Sequence, residues 1–192
     1  MPLNIPILLT WLRIILIPLL IAVYYVPDSW VNVVGRDLAA TVIFVVAAIT
    51  DWLDGYLARR WQQTSAFGAF LDPVADKLMV AAALIVLVQL GRLDGILATI
   101  IIGREITISA LREWMAQIGA HRSVAVSMIG KIKTSAQMFA IPLLLYHAPL
   151  GTFDVFQAGI WLIYVAAVLT LWSMGYYMRM AWPHLIEEDH KS

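Results

Sequence analysis

The sequence predicts an all-α polytopic membrane protein of six transmembrane helices with a short N-terminal interfacial helix, and three observations lead there. First, 61% of the 192 residues are hydrophobic and 14% are charged, with a mean hydropathy of +0.81, whereas water-soluble domains are about 45–50% apolar and about 25% charged. Second, six segments come near the roughly 20 residues that a helix needs to cross hydrocarbon. Third, most Lys and Arg residues fall on one side of those segments. No Gly/Ser linker, low-complexity tract or internal repeat divides the chain, so one domain, 1–192, is the simplest organisation. A formal net charge of zero offers no basic field to gather nucleic acid. The absence of cysteine excludes disulfides, thiolate metal ligands and a Cys nucleophile.

The first element is the stretch 1–13, where Asn4, Pro6, Thr10 and Arg13 interrupt an apolar run. That pattern suits a short interfacial helix with its polar face in water. Alternatively Thr10 and Arg13, three apart and so on one helical face, point towards a headgroup site. The stretch has no basic leader and no small-x-small site near Val26, and it is read as retained. The six spans run roughly over 8–26, 38–60, 71–90, 96–114, 131–147 and 155–179. Several carry charge at one end only, which predicts helices that project beyond the bilayer into water. An even number of spans puts both termini on one side. With the termini inside, eleven of the thirteen Lys and Arg residues lie on inner ends and loops, and only Arg36 and Arg92 lie outside. Cytoplasmic loops carry that excess, so the termini and the stretch 51–76 are assigned to the cytoplasmic side. The outer connections 26–29, 90–95 and 148–152 read as turns without a functional cluster. Trp30, Trp161, Trp172, Tyr176, Tyr177 and Trp182 are candidates for interfacial aromatic belts. The acidic tail 187–192 reads as a solvated end.

The stretch 51–76 holds four carboxylates inside this apolar chain. Each ionisable residue beside hydrocarbon costs about 2.5–3.5 kcal/mol even on insertion scales, so four together need a reason. Asp51 and Asp54 are i and i+3, and Asp72 and Asp76 are i and i+4, so each pair shares one helical face. Two such faces opposed make a cage of oxygens whose charges repel unless they are neutralised. Two divalent cations balance the four charges. An all-oxygen donor set without His or Cys points to Mg²⁺ or Mn²⁺, and a two-metal site suits the clamping of a phosphoryl or pyrophosphate group. Gly55, Ala58 and Gly68 clear space for a ligand or a neighbouring helix, and Arg59 offers a planar fork to a phosphate.

Read out, the stretch is Asp51-x2-Asp54-Gly55-x2-Ala58-Arg59-x8-Gly68-x3-Asp72-x3-Asp76, and it resembles the signature of the CDP-alcohol phosphatidyltransferases at every fixed position. Beyond it, Asn4-Ile5-Pro6 with Thr10 and Arg13, Gly103-Arg104-Glu105-Ile106 with Leu111-Arg112-Glu113, and Gly130-Lys131-Ile132-Lys133-Thr134 look like the bacterial branch that makes phosphatidylglycerol phosphate. The likeness covers nearly the whole chain, leaving out mainly the outer loops and the tail. It implies six helices around a polar cavity open to the cytoplasm, in the bacterial cytoplasmic (inner) membrane, and a homodimer. It further implies that Asp51, Asp54, Asp72 and Asp76 surround two divalent metals, with Asp76 as general base, and that Gly55, Ala58, Arg59 and Gly68 contact the CDP moiety. The implied reaction moves the phosphatidyl group of CDP-diacylglycerol to sn-glycerol 3-phosphate, releasing CMP, among membrane lipids.

A second cluster bears on the acceptor. Arg104 with Glu105 inside an apolar run is costly unless it faces protein or a water-filled cavity. A cationic pocket beside the metal site suits an acceptor that carries its own phosphate. Arg104, Arg112, Lys131 and Lys133 are the candidates, with Arg13 and Thr10 from the first element. Glu105 is placed to pair with Arg104 and fix its rotamer, and the spacing leaves open which group meets the phosphate. Serine, inositol phosphate or phosphatidylglycerol as acceptor keeps the same chemistry. A divalent-cation transporter is the rival from another class; against it, no acidic relay continues to the outer side.

Overall fold

The computed structural model describes residues 5–61, 66–118 and 128–189. Among them the chain is helical, with no strand beyond an isolated bridge between Leu150 and Phe153. Helix α1 spans Ile5–Ala22 and closes in a 3-10 turn at Val23–Tyr25. It is followed by α2 Val33–Trp61, α3 Ala66–Gln89, α4 Gly95–Gln117, α5 Met128–Tyr146 and α6 Val155–Asp189. Three stretches are long and apolar enough to cross a membrane: Leu8–Tyr25, Val33–Leu57 and Val155–Trp182. Helices α3 and α4 are broken as apolar runs by the charges they carry, Asp72, Asp76 and Lys77 on one and Arg104, Glu105, Arg112 and Glu113 on the other.

A separate interfacial helix over 1–13 is not observed. From Ile5 onward those residues form the beginning of α1, unbroken to Ala22. The reason is tertiary: Thr10 and Arg13, whose polarity suggested a water-facing surface, are both about fully buried at 1% exposure. At 1.5 Å per residue, the 29 residues of α2 and the 35 of α6 reach about 43 and 52 Å, longer than the roughly 30 Å of hydrocarbon.

Side chains set the helix ends. Asn32 accepts from the Gly35 amide at 2.7 Å, Asp94 from Ile96 at 2.7 Å and Asp154 from Gln157 at 2.9 Å, closing the N-termini of α2, α4 and α6. Helix α3 ends in a Schellman turn: the Arg92 amide reaches Leu87 O at 2.9 Å and the Gly91 amide reaches Val88 O at 3.0 Å. Gly91 holds φ +68°, which suits a residue without Cβ.

Helix α1 packs on α2 and α3, α5 on α2 and α6, and α4 on α3 and α6. Leu20, Phe44, Leu84, Leu87, Ile141 and Leu144 are the apolar heart where these faces meet. Helices α5 and α6 come close at Gly159, where a Cβ would stand 3.0 Å from Leu144 Cγ. The outward surface is apolar as well, with Ile15, Phe139, Trp161, Val168 and Trp172 exposed. That inside-and-outside apolarity is what a lipid-facing bundle requires.

At the end of the bundle away from the carboxylates, Arg92 turns inward. Its Nη2 donates to Asp37 Oδ2 at 2.7 Å and its Nη1 to Leu145 O at 2.8 Å, while Tyr24 OH donates to Asp37 Oδ1 at 3.2 Å. The ion pair is buried, with side-chain exposures of 10% and 6%. It ties α2, α5 and the 3-10 turn after α1 to the turn between α3 and α4, so Arg92 is a tertiary clamp. Arg92→Leu leaves Asp37 buried without its cation, an expected loss of about 3–5 kcal/mol. A thermal unfolding scan in detergent checks this, and an unchanged transition contradicts it.

Candidate active site

The carboxylates sit on the facing surfaces of α2 and α3, and α1 lays its polar face against them. Arg13 Nη2 donates to Asp54 Oδ2 at 2.5 Å. Its Nη1 stands 2.8 Å from Asp51 Oδ1, an ion pair without the alignment of a hydrogen bond. One turn earlier, Thr10 Oγ1 donates to Asp72 Oδ1 at 2.5 Å. Thr10 and Arg13 thus share the face expected from their spacing, and that face meets aspartates. Asp54 is almost fully enclosed, at 3% side-chain exposure, whereas Asp51 is 40% exposed and open to an incoming ligand.

Asp76 occupies a junction. A narrow cavity places it with Arg13 and Asp51. A wider cavity of about 300 Å³ places it opposite Arg104, Glu105 and Arg112. One carboxylate therefore borders both the acidic and the basic side of the molecule.

The basic side is held from α6. Arg104 is buried, donates from Nη2 to Ser173 Oγ at 2.8 Å, and Ser173 in turn donates to Thr170 O at 2.9 Å. The fully buried ring of Tyr177 lies 5.8 Å from the Arg104 guanidinium and 5.1 Å from that of Arg112, and its hydroxyl accepts from Arg112 Nη2 at 3.1 Å. A ring face attracts each cation, so Tyr177 helps to hold two like charges beside one cavity. Thr170, Ser173 and Tyr177 recur at three- and four-residue spacing, a polar stripe on an apolar helix that was a readable signal. Tyr177 was expected in an interfacial belt; it is instead the platform for two arginines, because α6 turns that face inward against α4.

Glu105 forms an ion pair with the buried Lys133 and lies 3.5 Å from Arg104 Nη1. Lys133 is thereby committed to Glu105, and Arg104 pairs with Glu105 as expected while also being held by Ser173 and Tyr177. Of the six residues considered for an acceptor phosphate, Arg104 and Arg112 line the wide cavity, while Thr10 and Arg13 lie on the aspartates. Gly55 and Gly68 are half-buried on α2 and α3. Ala58, Arg59 and Lys131 lie outside the residues whose side chains the structure describes.

The donor set around Arg13 fits a hard cation in kind. All four carboxylates offer only oxygen, and a buried guanidinium seated between two of them shows that this pocket concentrates negative charge in need of a positive partner. Among the described residues no three acidic or imidazole side chains close around one point, because Asp51 and Asp54 turn to Arg13 and Asp72 turns to Thr10.

A helical bundle with paired aspartates on two helices, one of which shares a cavity with two arginines, is a site for joining a phosphate-bearing donor to a charged acceptor. Residues 3–172 match the model of the CDP-alcohol phosphatidyltransferase family, and the chain belongs to that family. Among its relatives, the CDP-diacylglycerol--glycerol-3-phosphate 3-phosphatidyltransferase of Escherichia coli K12 is 51% identical over 190 residues, covering 98% of this chain and all of that one. The proteins of the same name from Salmonella choleraesuis and Shigella flexneri are 51% and 50% identical over the same share.

Proposed function

We propose that this chain transfers the phosphatidyl group of CDP-diacylglycerol to sn-glycerol 3-phosphate, giving phosphatidylglycerol phosphate and CMP in phosphatidylglycerol and cardiolipin biosynthesis. The activity for which its relatives are named supports the reading. The observation that carries it is Asp76, standing where the aspartate cluster meets the arginine-lined cavity.

In this reading CDP-diacylglycerol lies along the aspartates, its CDP moiety against Gly55, Ala58, Arg59 and Gly68. Asp51, Asp54, Asp72 and Asp76 would hold two divalent cations, Mg²⁺ or Mn²⁺, which supply positive charge against the pyrophosphate when bound; the family is dependent on divalent metal. Thr10 and Arg13 orient the carboxylates that they touch. Arg104 and Arg112 hold the acceptor phosphate, with Lys131 as a further candidate, while Lys133 neutralises Glu105. Asp76 takes the proton of the acceptor's primary hydroxyl as its oxygen attacks the phosphatidyl phosphorus. The new P–O bond forms as the bond to CMP breaks, and the electron pair leaves with CMP. Positioning and electrostatics supply most of the rate in such transfers.

The same reading makes the chain a single membrane domain of six transmembrane helices, working as a homodimer in the bacterial inner membrane with the site and both termini towards the cytoplasm. The test is CMP release by the purified protein from CDP-diacylglycerol and Mg²⁺, with glycerol 3-phosphate, serine, inositol phosphate and phosphatidylglycerol offered in parallel. Release is expected with glycerol 3-phosphate alone and is abolished by EDTA. Release driven by another acceptor overturns the assignment of the arginines.

A further inference from the structure

One wall of the wide cavity belongs neither to the aspartates nor to the arginines. It is the face of α5 that carries Thr134, Gln137 and Met138, which lines the same cavity as Asp76 on α3 and Arg104 and Arg112 on α4. Gln137 is only 4% exposed, yet its Oε1 has no hydrogen-bond partner. A buried amide oxygen left unmet is unfavourable, and in a native site such a group calls for an explanation, an absent ligand among them. Lys133, one turn earlier on α5, is ion-paired with Glu105.

The acceptor in the function proposed above, on which this inference rests, has three polar parts. Its phosphate dianion matches the guanidiniums. Its attacking primary hydroxyl must reach Asp76. Its secondary hydroxyl lies between these two, needs both a donor and an acceptor, and is served by neither a cation nor a base engaged elsewhere. A primary amide carries both functions on one planar group, and rotation about its last torsion presents either atom. We propose that Gln137 hydrogen-bonds the secondary hydroxyl of the glycerol phosphate acceptor and is the residue through which the site distinguishes a vicinal diol from a simple alcohol phosphate. It acts on specificity by direct contact with substrate, while Arg104 and Arg112 give the charge recognition that any phosphorylated acceptor shares.

The test compares kcat/KM for glycerol 3-phosphate with that for 3-hydroxypropyl phosphate, which lacks only the secondary hydroxyl. The natural protein is expected to favour glycerol 3-phosphate by about tenfold or more, since a site built to bond a hydroxyl rejects the analogue that lacks it. In Gln137→Leu and in the less disruptive Gln137→Met, the ratio is expected to fall towards one, through loss on glycerol 3-phosphate alone, with the KM for CDP-diacylglycerol unmoved. A ratio that stays constant while both acceptors slow equally assigns Gln137 a packing role and overturns the proposal, as does a natural protein indifferent to the missing hydroxyl. If the natural protein turns over neither phosphate but accepts serine or inositol phosphate, the function proposed above fails, and this inference falls with it.

Discussion

Asp76→Asn is expected to lower kcat by about 10²–10⁴-fold, the range that a positioned general base contributes, while the KM for glycerol 3-phosphate stays within a few-fold and that for CDP-diacylglycerol rises only as far as the lost carboxylate weakens metal binding. The asparagine keeps the size and one oxygen of the natural side chain but cannot take a proton. Asp76 alone among the four aspartates borders both the Arg13 cavity and the arginine-lined cavity. Its loss therefore removes the step at which donor and acceptor meet, and leaves the arginines that bind the acceptor. Steady-state CMP release at saturating concentrations of both substrates measures the effect. Retention of more than about a tenth of natural kcat would remove Asp76 from the role of base.

The second large effect belongs to the basic wall. Arg112→Gln and Arg104→Gln are each expected to raise the KM for glycerol 3-phosphate by about 10–100-fold, since a hydrogen bond to a charged group contributes about 1.5–3 kcal/mol and each 1.36 kcal/mol is tenfold. The KM for CDP-diacylglycerol should stay put. Arg112 is the cleaner of the two, being half-buried and held by the Tyr177 hydroxyl. Arg104 is buried against Ser173, so its replacement also removes a hydrogen bond to that hydroxyl. Equal rises in both KM values would show a general loss of structure instead of a lost phosphate contact.

Much of this was written in local spacing. The apolar runs foretold helices at all six places, and the i, i+3 and i, i+4 intervals put Asp51 with Asp54 and Asp72 with Asp76 on shared faces. The ends were misjudged where the rule counted only apolar residues: α2 begins at Val33 and α6 continues to Asp189, because a helix does not stop where its side chains become polar. What spacing could not carry was the choice of partner across the bundle. Arg13 and Asp54 are 41 residues apart, and Arg92 and Leu145 are 53 apart. Arg92 read as an outer-loop charge because its sequence neighbours are turn residues, and its burial depends on the approach of α5. Tyr177 read as a belt aromatic because Tyr at the end of an apolar helix usually is one. Only the rotation of α6 that brings Ser173 and Tyr177 onto α4 shows it as the support of two guanidiniums.

In the proposed function, acceptor binding and proton removal fall to different residues of one cavity. Equilibrium binding of labelled glycerol 3-phosphate to the detergent-solubilised natural protein, Asp76→Asn and Arg112→Gln tests this division most directly. Asp76→Asn is predicted to bind as the natural protein does although it scarcely turns over, and Arg112→Gln to bind about 10–100-fold more weakly. Natural affinity in Arg112→Gln, or its loss in Asp76→Asn, would contradict that division.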